Sequence, residues 1–489
     1  MMEVIETHQA VVRRAARPVF FALIGLVGAG MAVAQMGNPS SASNPYFGSV
    51  TVELANGELL RLSLDQAIRR GLDNNLAVRE AASGQKALAG EKNQALQQFL
   101  PTITLTGDTG VYQHNLAALG FSPAVASKFS SVLPGGHSSG FSLITRDDLT
   151  EGQIHFEQTL FSGPVIAGYK AAGAAERVAY FARMSAEGEV VQQVATTYLR
   201  AIAAASDVDN AKALEAEDQL ALDHAREAHE AGTVANLEVL RAQVELQARQ
   251  QAVIAAENNL DKVLILLKRE IGVAPGQKIE LTDQAPYSEL AAQTPAEVRA
   301  IAYKNRQDYQ NLQNQVVEYK AVRSAYRSQR LPSLSFKGYY GVSTVNDAGT
   351  HGNFAVFGSL SVPIFREARL RGDVDAAQAE LNAANAQLDN LRARIDEQVR
   401  DALLDVAATS KLVDVARSNV DLARQALSDE TDRVNAGVDN NLPLITAQAT
   451  LASAQNNLVA SLYQYNIAKL GLARAAGVIE TQYRAYLGQ

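Results

Sequence analysis

Ala231-Gly232-Thr233-Val234-Ala235-Asn236-Leu237-Glu238-Val239-Leu240-Arg241-Ala242-Gln243 returns later in the chain as Ala436-Gly437-Val438-Asp439-Asn440-Asn441-Leu442-Pro443-Leu444-Ile445-Thr446-Ala447-Gln448. Gly232 matches Gly437, Asn236 matches Asn441, Leu237 matches Leu442 and Gln243 matches Gln448, all at one offset of 205 residues. Each copy reads as the tight turn of a helical hairpin. Glycine ends the incoming helix because it takes the left-handed conformation without a Cβ penalty. The asparagine that follows is placed to cap the outgoing helix by accepting from its free N–H groups. Pro443 falls in the first helical turn, where a missing donor costs little.

Long Ala-rich helical sequence flanks both tips. Val374, Ala377, Leu381, Ala384, Leu388, Leu391 and Ile395 keep strict 3-4 spacing, and Val399, Val406, Val413, Val420, Leu427 and Val434 then recur every seven residues. A stripe that persists this long predicts coiled-coil packing. A helix from Val165 to Ala231 would be about 100 Å long at 1.5 Å per residue. Two shorter helices, Leu76–Phe99 and Asn236–Ile271, total about 90 Å when stacked end to end, nearly enough to run beside it.

Between the helices the apolar period changes from 3.6 to 2. Leu100-Pro101 stops a helix, and Ile103 and Leu105 then alternate with threonines; Leu331-Pro332 does the same before Leu334, Phe336, Gly338, Tyr340 and Val342. Pro101 and Pro332 are therefore strand entries. Partner strands place Ile154 and Phe156 in the first half, and Phe354, Val356, Gly358, Leu360, Val362 and Ile364 in the second, on one face. The Leu-Pro entries recur at an offset of 231, but Leu160-Phe161 recurs as Ile364-Phe365 at 204, so the first strand pair holds 27 additional residues. We assign these to a long loop between about Gln113 and Glu151, at a free end of the strands.

Ser63-Leu64-Asp65-Gln66 and Thr294-Pro295-Ala296-Glu297 are capping boxes that open each half. The helices they start are predicted to break near Asp73-Asn74-Asn75 and Asn305-Arg306-Gln307-Asp308. Val50 to Leu62 is expected to form a small hairpin around Asn56-Gly57.

The chain has 489 residues, a net charge of −8 and no cysteine. That excludes disulfides, thiolate metal sites and a lipidated N-terminal cysteine, and gives no electrostatic footprint for nucleic acid. At the N-terminus, Arg13, Arg14 and Arg17 precede the apolar run Pro18 to Gly30 and an Ala32-Val33-Ala34 cleavage box. This reads as a signal peptide with a mature chain starting near Gln35; an uncleaved anchor is the alternative. No later segment reaches the 20 or so apolar residues a spanning helix needs, so any membrane crossing must use strands.

Four strands cannot close a barrel, and an open edge cannot sit in lipid. Three copies would supply twelve strands, within the range of membrane barrels, and the helices would continue the wall as a tube. In this the sequence resembles the outer-membrane factors, the TolC-like channels of efflux pumps and type I secretion systems, from the capped helix at Ser63 to about Val478. Both Leu-Pro entries, the Asn305–Asp308 break and both Ala-Gly…Leu…Ala-Gln tips carry the resemblance. It implies an α+β membrane protein: a homotrimer with a 12-stranded transmembrane β-barrel in outer-membrane lipid and a long α-helical coiled-coil barrel reaching into the periplasm. It also implies hairpin tips that meet a periplasmic adaptor coupled to an inner-membrane transporter. The corresponding division is a signal peptide (1–34), an N-terminal periplasmic segment (35–62), a first repeat (63–273), an equatorial linker (274–293), a second repeat (294–478) and a C-terminal tail (479–489).

For adaptor docking and the aperture, the candidate residues are Gly232, Asn236, Leu237 and Glu238 at the first tip. At the second they are Gly437, Asp439, Asn440, Asn441, Leu442 and Thr446. Well-known members carry acidic residues just after the second tip glycine; the matching positions here are Pro443 and Thr446, which cannot form a carboxylate ring. Asp439 is then the one candidate for an acidic ring, against its reading as a solvated loop carboxylate. Phe161, Phe336, Tyr339, Tyr340, Phe354, Phe357 and Phe365 are candidates for interfacial aromatic girdles. His224 and His229 are five residues apart, not the four that would put two imidazoles on one helix face for a metal, and no nucleophile–base constellation is evident. No enzyme activity, metal or cofactor is expected. Two other readings remain: a type I protein-secretion exit duct, and a non-conducting envelope coiled-coil protein.

Overall fold

In the computed structural model, residues 54–115, 144–283, 287–346, 349–436 and 441–488 are described, with Tyr46, Gly48, Ser49 and Ala118 beside them. The first half contains β1 (Leu60–Leu62), α1 (Leu64–Asn74), α2 (Leu76–Gln97), β2 (Thr102–Asn115), β3 (Ile144–Phe161), α3 (Gly163–Glu230) and α4 (Asn236–Ile271). After β4 (Ile279–Leu281) the same order of helices and long strands follows: α5 (Pro295–Asn305), α6 (Gln307–Ser328), β5 (Ser333–Val345), β6 (Thr350–Ser361), α7 (Glu367–Asn435) and α8 (Asn441–Ala475). A last helix, α9 (Ile479–Leu487), closes the chain.

The helices begin and end where local chemistry requires. Ser63 and Thr294 both complete their capping boxes, each side chain accepting from the backbone N–H three residues on. Asn75 ends α1 and starts α2: its N–H donates to the Gly71 carbonyl at 2.8 Å, and its Oδ1 accepts from Ala77 N–H at 2.9 Å. Arg306 likewise ends α5 and starts α6, with an extended backbone at φ −63°, ψ 122° and its N–H donating to the Ala302 carbonyl at 2.8 Å, but its side chain caps nothing. The long helices α3 and α7 run unbroken for 68 and 69 residues, about 100 Å each.

Packing follows from these lengths. Near the strands α3 lies between α2 and α6; beyond the breaks it lies against α4 and α8, while α7 packs on α6 and α8. Every sequence-predicted seam residue from Ala377 to Ile395 is buried, as are Val399, Val413 and Val420. Val374, Val406 and Leu427 are half-buried, and the Val434 side chain lies outside the described residues. The main core sits at mid-height, where α1, α5 and α9 wrap Val190–Ile202 of α3, the Leu381–Val399 stretch of α7 and the C-terminal end of α8.

The four long strands form one antiparallel sheet in the order β2-β3-β5-β6. They run for 14, 18, 13 and 12 residues. β2 and β3 extend into the segment assigned to their loop, β2 to Asn115 and β3 from Ile144; of what lies between them, only Ala118 is described. Residues 50–53 of the hairpin expected at Val50–Leu62 lie outside the described residues, and no hairpin forms among the rest. Leu60–Leu62 instead pairs in parallel with Ile279–Leu281, and Asn56-Gly57 makes only a local turn in which Asn56 Oδ1 accepts from Glu58 N–H at 3.1 Å. The segment read as a linker therefore supplies a strand. The segment read as a tail forms α9, whose Ile479 and Leu487 are fully buried and whose Tyr483 hydroxyl donates to Asp65 at 2.7 Å.

Candidate functional site

Strand register sorts the sheet residues onto two faces. Ile103 lies opposite Phe156 and Leu105 opposite Ile154; Ile154 faces Tyr340, which faces Phe354, while Leu334 meets Leu360. Apart from the half-buried Phe156, these apolar side chains are exposed. The opposite face pairs Thr102 with Glu157, Thr104 with His155, Glu157 with Lys337 and Ser343 with His351. Lys337 and Glu157 form an ion pair at 2.6 Å, and His155 Nε2 sits 3.1 Å from Thr106 Oγ1. One face is thus dressed for hydrocarbon and the other for water, and the outer edges of β2 and β6 have no strand beside them among the described residues.

The candidate girdle aromatics do not stay together. Tyr340 and Phe354 share the apolar face, where Phe336 also meets Phe156 edge-on with centroids 5.6 Å apart. Tyr339 and Phe357 point to the polar face, and Phe161 and Phe365 sit at the helical end of the sheet. Pro101 and Pro332 lie one residue before β2 and β5, each after a tight turn that closes the preceding helix, with Leu100 N–H bonded to Gln97 O and Leu331 N–H to Ser328 O.

At the far end, the first tip is a complete Schellman motif. Gly232 has φ +78°; its N–H donates to His229 O, and Thr233 N–H to Ala228 O, both at 2.9 Å. Asn236 does not cap α4: Ala235 holds the cap position without a side-chain bond, and Asn236 is the first helical residue. Leu237 and Leu240 are exposed, and Glu238 pairs with Arg241 at 2.8 Å. At the second tip Gly437, Asp439 and Asn440 lie outside the described residues. Asn441 and Leu442 open α8, and Thr446 is exposed in its first turns.

Sequence reading missed the ionisable groups buried at mid-height. The fully buried Glu270 accepts at Oε1 from Gln193 Nε2 at 3.0 Å and Thr197 Oγ1 at 3.1 Å, while its Oε2 has no partner among the described residues. Burial, only partly offset by these bonds, pushes its carboxyl up to about 8. Lys469 is also fully buried, donates to Ser288 O at 3.2 Å and stands 4.6 Å from the Tyr465 ring centroid. Desolvation lowers its ammonium to about 8. In the sequence both look like ordinary charged residues on amphipathic helices; a contact between distant segments buries them.

Residues 67–273 and 299–478 match the profile of the family described as outer membrane efflux protein. The chain belongs to that family. Within it, nodulation protein T of Rhizobium leguminosarum bv. trifolii is 23% identical over 240 residues, covering 48% of this chain and 51% of that protein. This chain therefore spans about half the length of that relative. Outer membrane protein TolC of Escherichia coli is 22% identical over 307 residues, covering 60% of this chain and 62% of that protein. Among solved structures, the CmeC outer membrane channel of Campylobacter jejuni shares the fold with a TM-score of 0.68 at 15% identity, covering 85% of both chains. Among the described residues none of this chain's helices is long and apolar enough to cross a membrane.

Proposed function

We propose that this chain is one third of a passive duct through the outer membrane, serving a tripartite efflux or export system. The observation that carries this reading is the unclosed four-stranded sheet with an apolar outer face and a polar inner face. Such a sheet is stable in lipid only when its edges are paired, and three copies join β6 of one to β2 of the next in a 12-stranded barrel. The helices continue beneath it as a tunnel into the periplasm, made of six similar units from the two halves of three chains. A wall of this kind needs no catalytic group. It provides a path, and energy comes from an inner-membrane transporter through a periplasmic adaptor that meets the tips at Gly232–Glu238 and Gly437–Leu442.

The narrowest point is set by the second tip, with packing and neutral hydrogen bonds for closure and at most one ring of acid, from Asp439. Single-channel recording in planar bilayers tests both levels. The purified mature protein is expected to conduct, Asp439→Ala to change conductance and cation preference, and Thr446→Ala to change neither. A protein that inserts but never conducts would support a non-conducting envelope coiled coil instead, and the reverse response of the two variants would remove Asp439 from the aperture.

A further inference from the structure

We propose that the turn leaving β6, together with the arginines beside it, is a docking ring for anionic phospholipid headgroups on the periplasmic side of the outer membrane. The inference rests on the membrane-barrel reading and adds a ligand class to it.

Val362 and Ile364 continue the sequence alternation of Val356, Gly358 and Leu360 past the end of β6. Ile364 and Phe365 are 96% and 89% exposed. A neighbouring strand would not bury them completely, and the first half shows why. Leu160 and Phe161 hold the matching place and already have β5 alongside, with Phe161 opposite Leu334, yet they remain 55% and 44% exposed. Apolar surface left over at the foot of a membrane strand lies against lipid.

Arginines gather at the same height. Arg327 and Arg330 stand at the end of α6, and Arg366, Arg369 and Arg371 at the start of α7. Glu367 accepts from Arg330 at 2.9 and 3.2 Å and from Arg371 at 2.9 Å, and Arg369 approaches Asp373 at 3.7 Å. Arg327 and Arg366 have no carboxylate within ion-pair distance among the described residues. Five guanidinium groups thus face two carboxylates. The equivalent junction of the first half, 93–101 and 162–169, carries no charge at all, so the fold of the junction does not demand this cluster. Guanidinium forks match phosphate oxygens, and the headgroup layer is where an apolar strand face ends. Apolar wedge and basic cluster together suit an anionic phospholipid, with acyl chains against Ile364 and Phe365 and phosphate against Arg366 and its neighbours.

The chain has no tryptophan, so Phe365→Trp introduces a single indole whose emission reports on one place. In nanodiscs of phosphatidylcholine with phosphatidylglycerol, that emission is expected to be blue-shifted and quenched by brominated acyl chains. Phe357→Trp, on the polar face, is expected to stay unquenched. Brominating one lipid at a time should show preferential quenching by phosphatidylglycerol. Replacing Arg327, Arg366 and Arg369 together by glutamine should abolish that preference, each arginine accounting for about five-fold. An unquenched indole in an intact Phe365→Trp oligomer would overturn the proposal by showing a neighbouring copy over the wedge. So would an undiminished preference in the triple variant, or a change in ion selectivity without a change in lipid preference, which would place the arginines inside the duct. A protein quenched as expected but silent in planar bilayers would sink the duct and leave the docking ring standing.

Discussion

Glu270 shows what a single buried carboxyl does to a folded chain. Its proton is held up to about pH 8 in the folded state, against a usual value of 4.5. Between those values the folded chain keeps a proton that the unfolded chain has released, so the stability this group contributes is complete below the lower value and is lost as pH rises toward the upper one. Glu270→Gln retains an oxygen for Gln193 and Thr197 and has nothing to titrate. It is expected to stabilise the protein by roughly 3 kcal/mol at pH 7, with little gain at pH 4.5, as read from denaturation midpoints across that range. Residues whose roles are local are legible from sequence alone: Gly232 in its left-handed turn, Ser63 and Thr294 in their capping boxes. Asn236 misleads because Asn is an equally good cap one position away, and only the backbone shows that the extended residue is Ala235.

At the scale of elements, the helices can be read because their signal is long. Seven-residue spacing sustained along α7 leaves one packing solution, and the bounds of α4 agree with those its sequence predicts. β1 and β4 could not be read: three residues carry no period, and their pairing joins positions far apart in sequence. The same holds for α9, whose burial depends on α1 and α3. One joint between elements is especially tight. Gly477 has φ +70°, and a Cβ there would lie 2.6 Å from the backbone N and Cα of Arg306, the residue between α5 and α6. Arg306 in turn reaches Gln398 Oε1 at 2.7 Å and Asp308 at 2.7 Å. Gly477→Ala is therefore expected to cost roughly 1–3 kcal/mol, visible as a lower melting temperature, whereas Gly372→Ala on α7, with open space around it, should lose nothing.

For the whole molecule, the borders of the helical layer are as informative as its core. Leu237, Leu240, Val244, Ile254 and Ile265 are exposed along α4 in one heptad frame, and Leu404, Leu412, Val415 and Leu422 are exposed along α7. α4 and α7 lie at opposite borders of the layer, so the two stripes can meet only between copies. If the protein is the proposed trimer, Val244→Glu with Ile254→Glu is expected to convert it to monomer, in light scattering and in unheated gel migration. A trimer of unchanged heat resistance would assign those stripes elsewhere. Mid-height continuity has a mechanical side. α3 and α7 are unbroken shafts, while the helices beside them are interrupted at Asn75 and Arg306, the level where the buried ionisable groups gather. In the proposed duct, torque applied at the tips by an adaptor would travel along the shafts to these joints. The joints are where the twist would be taken up, leaving the four-stranded sheet at rest.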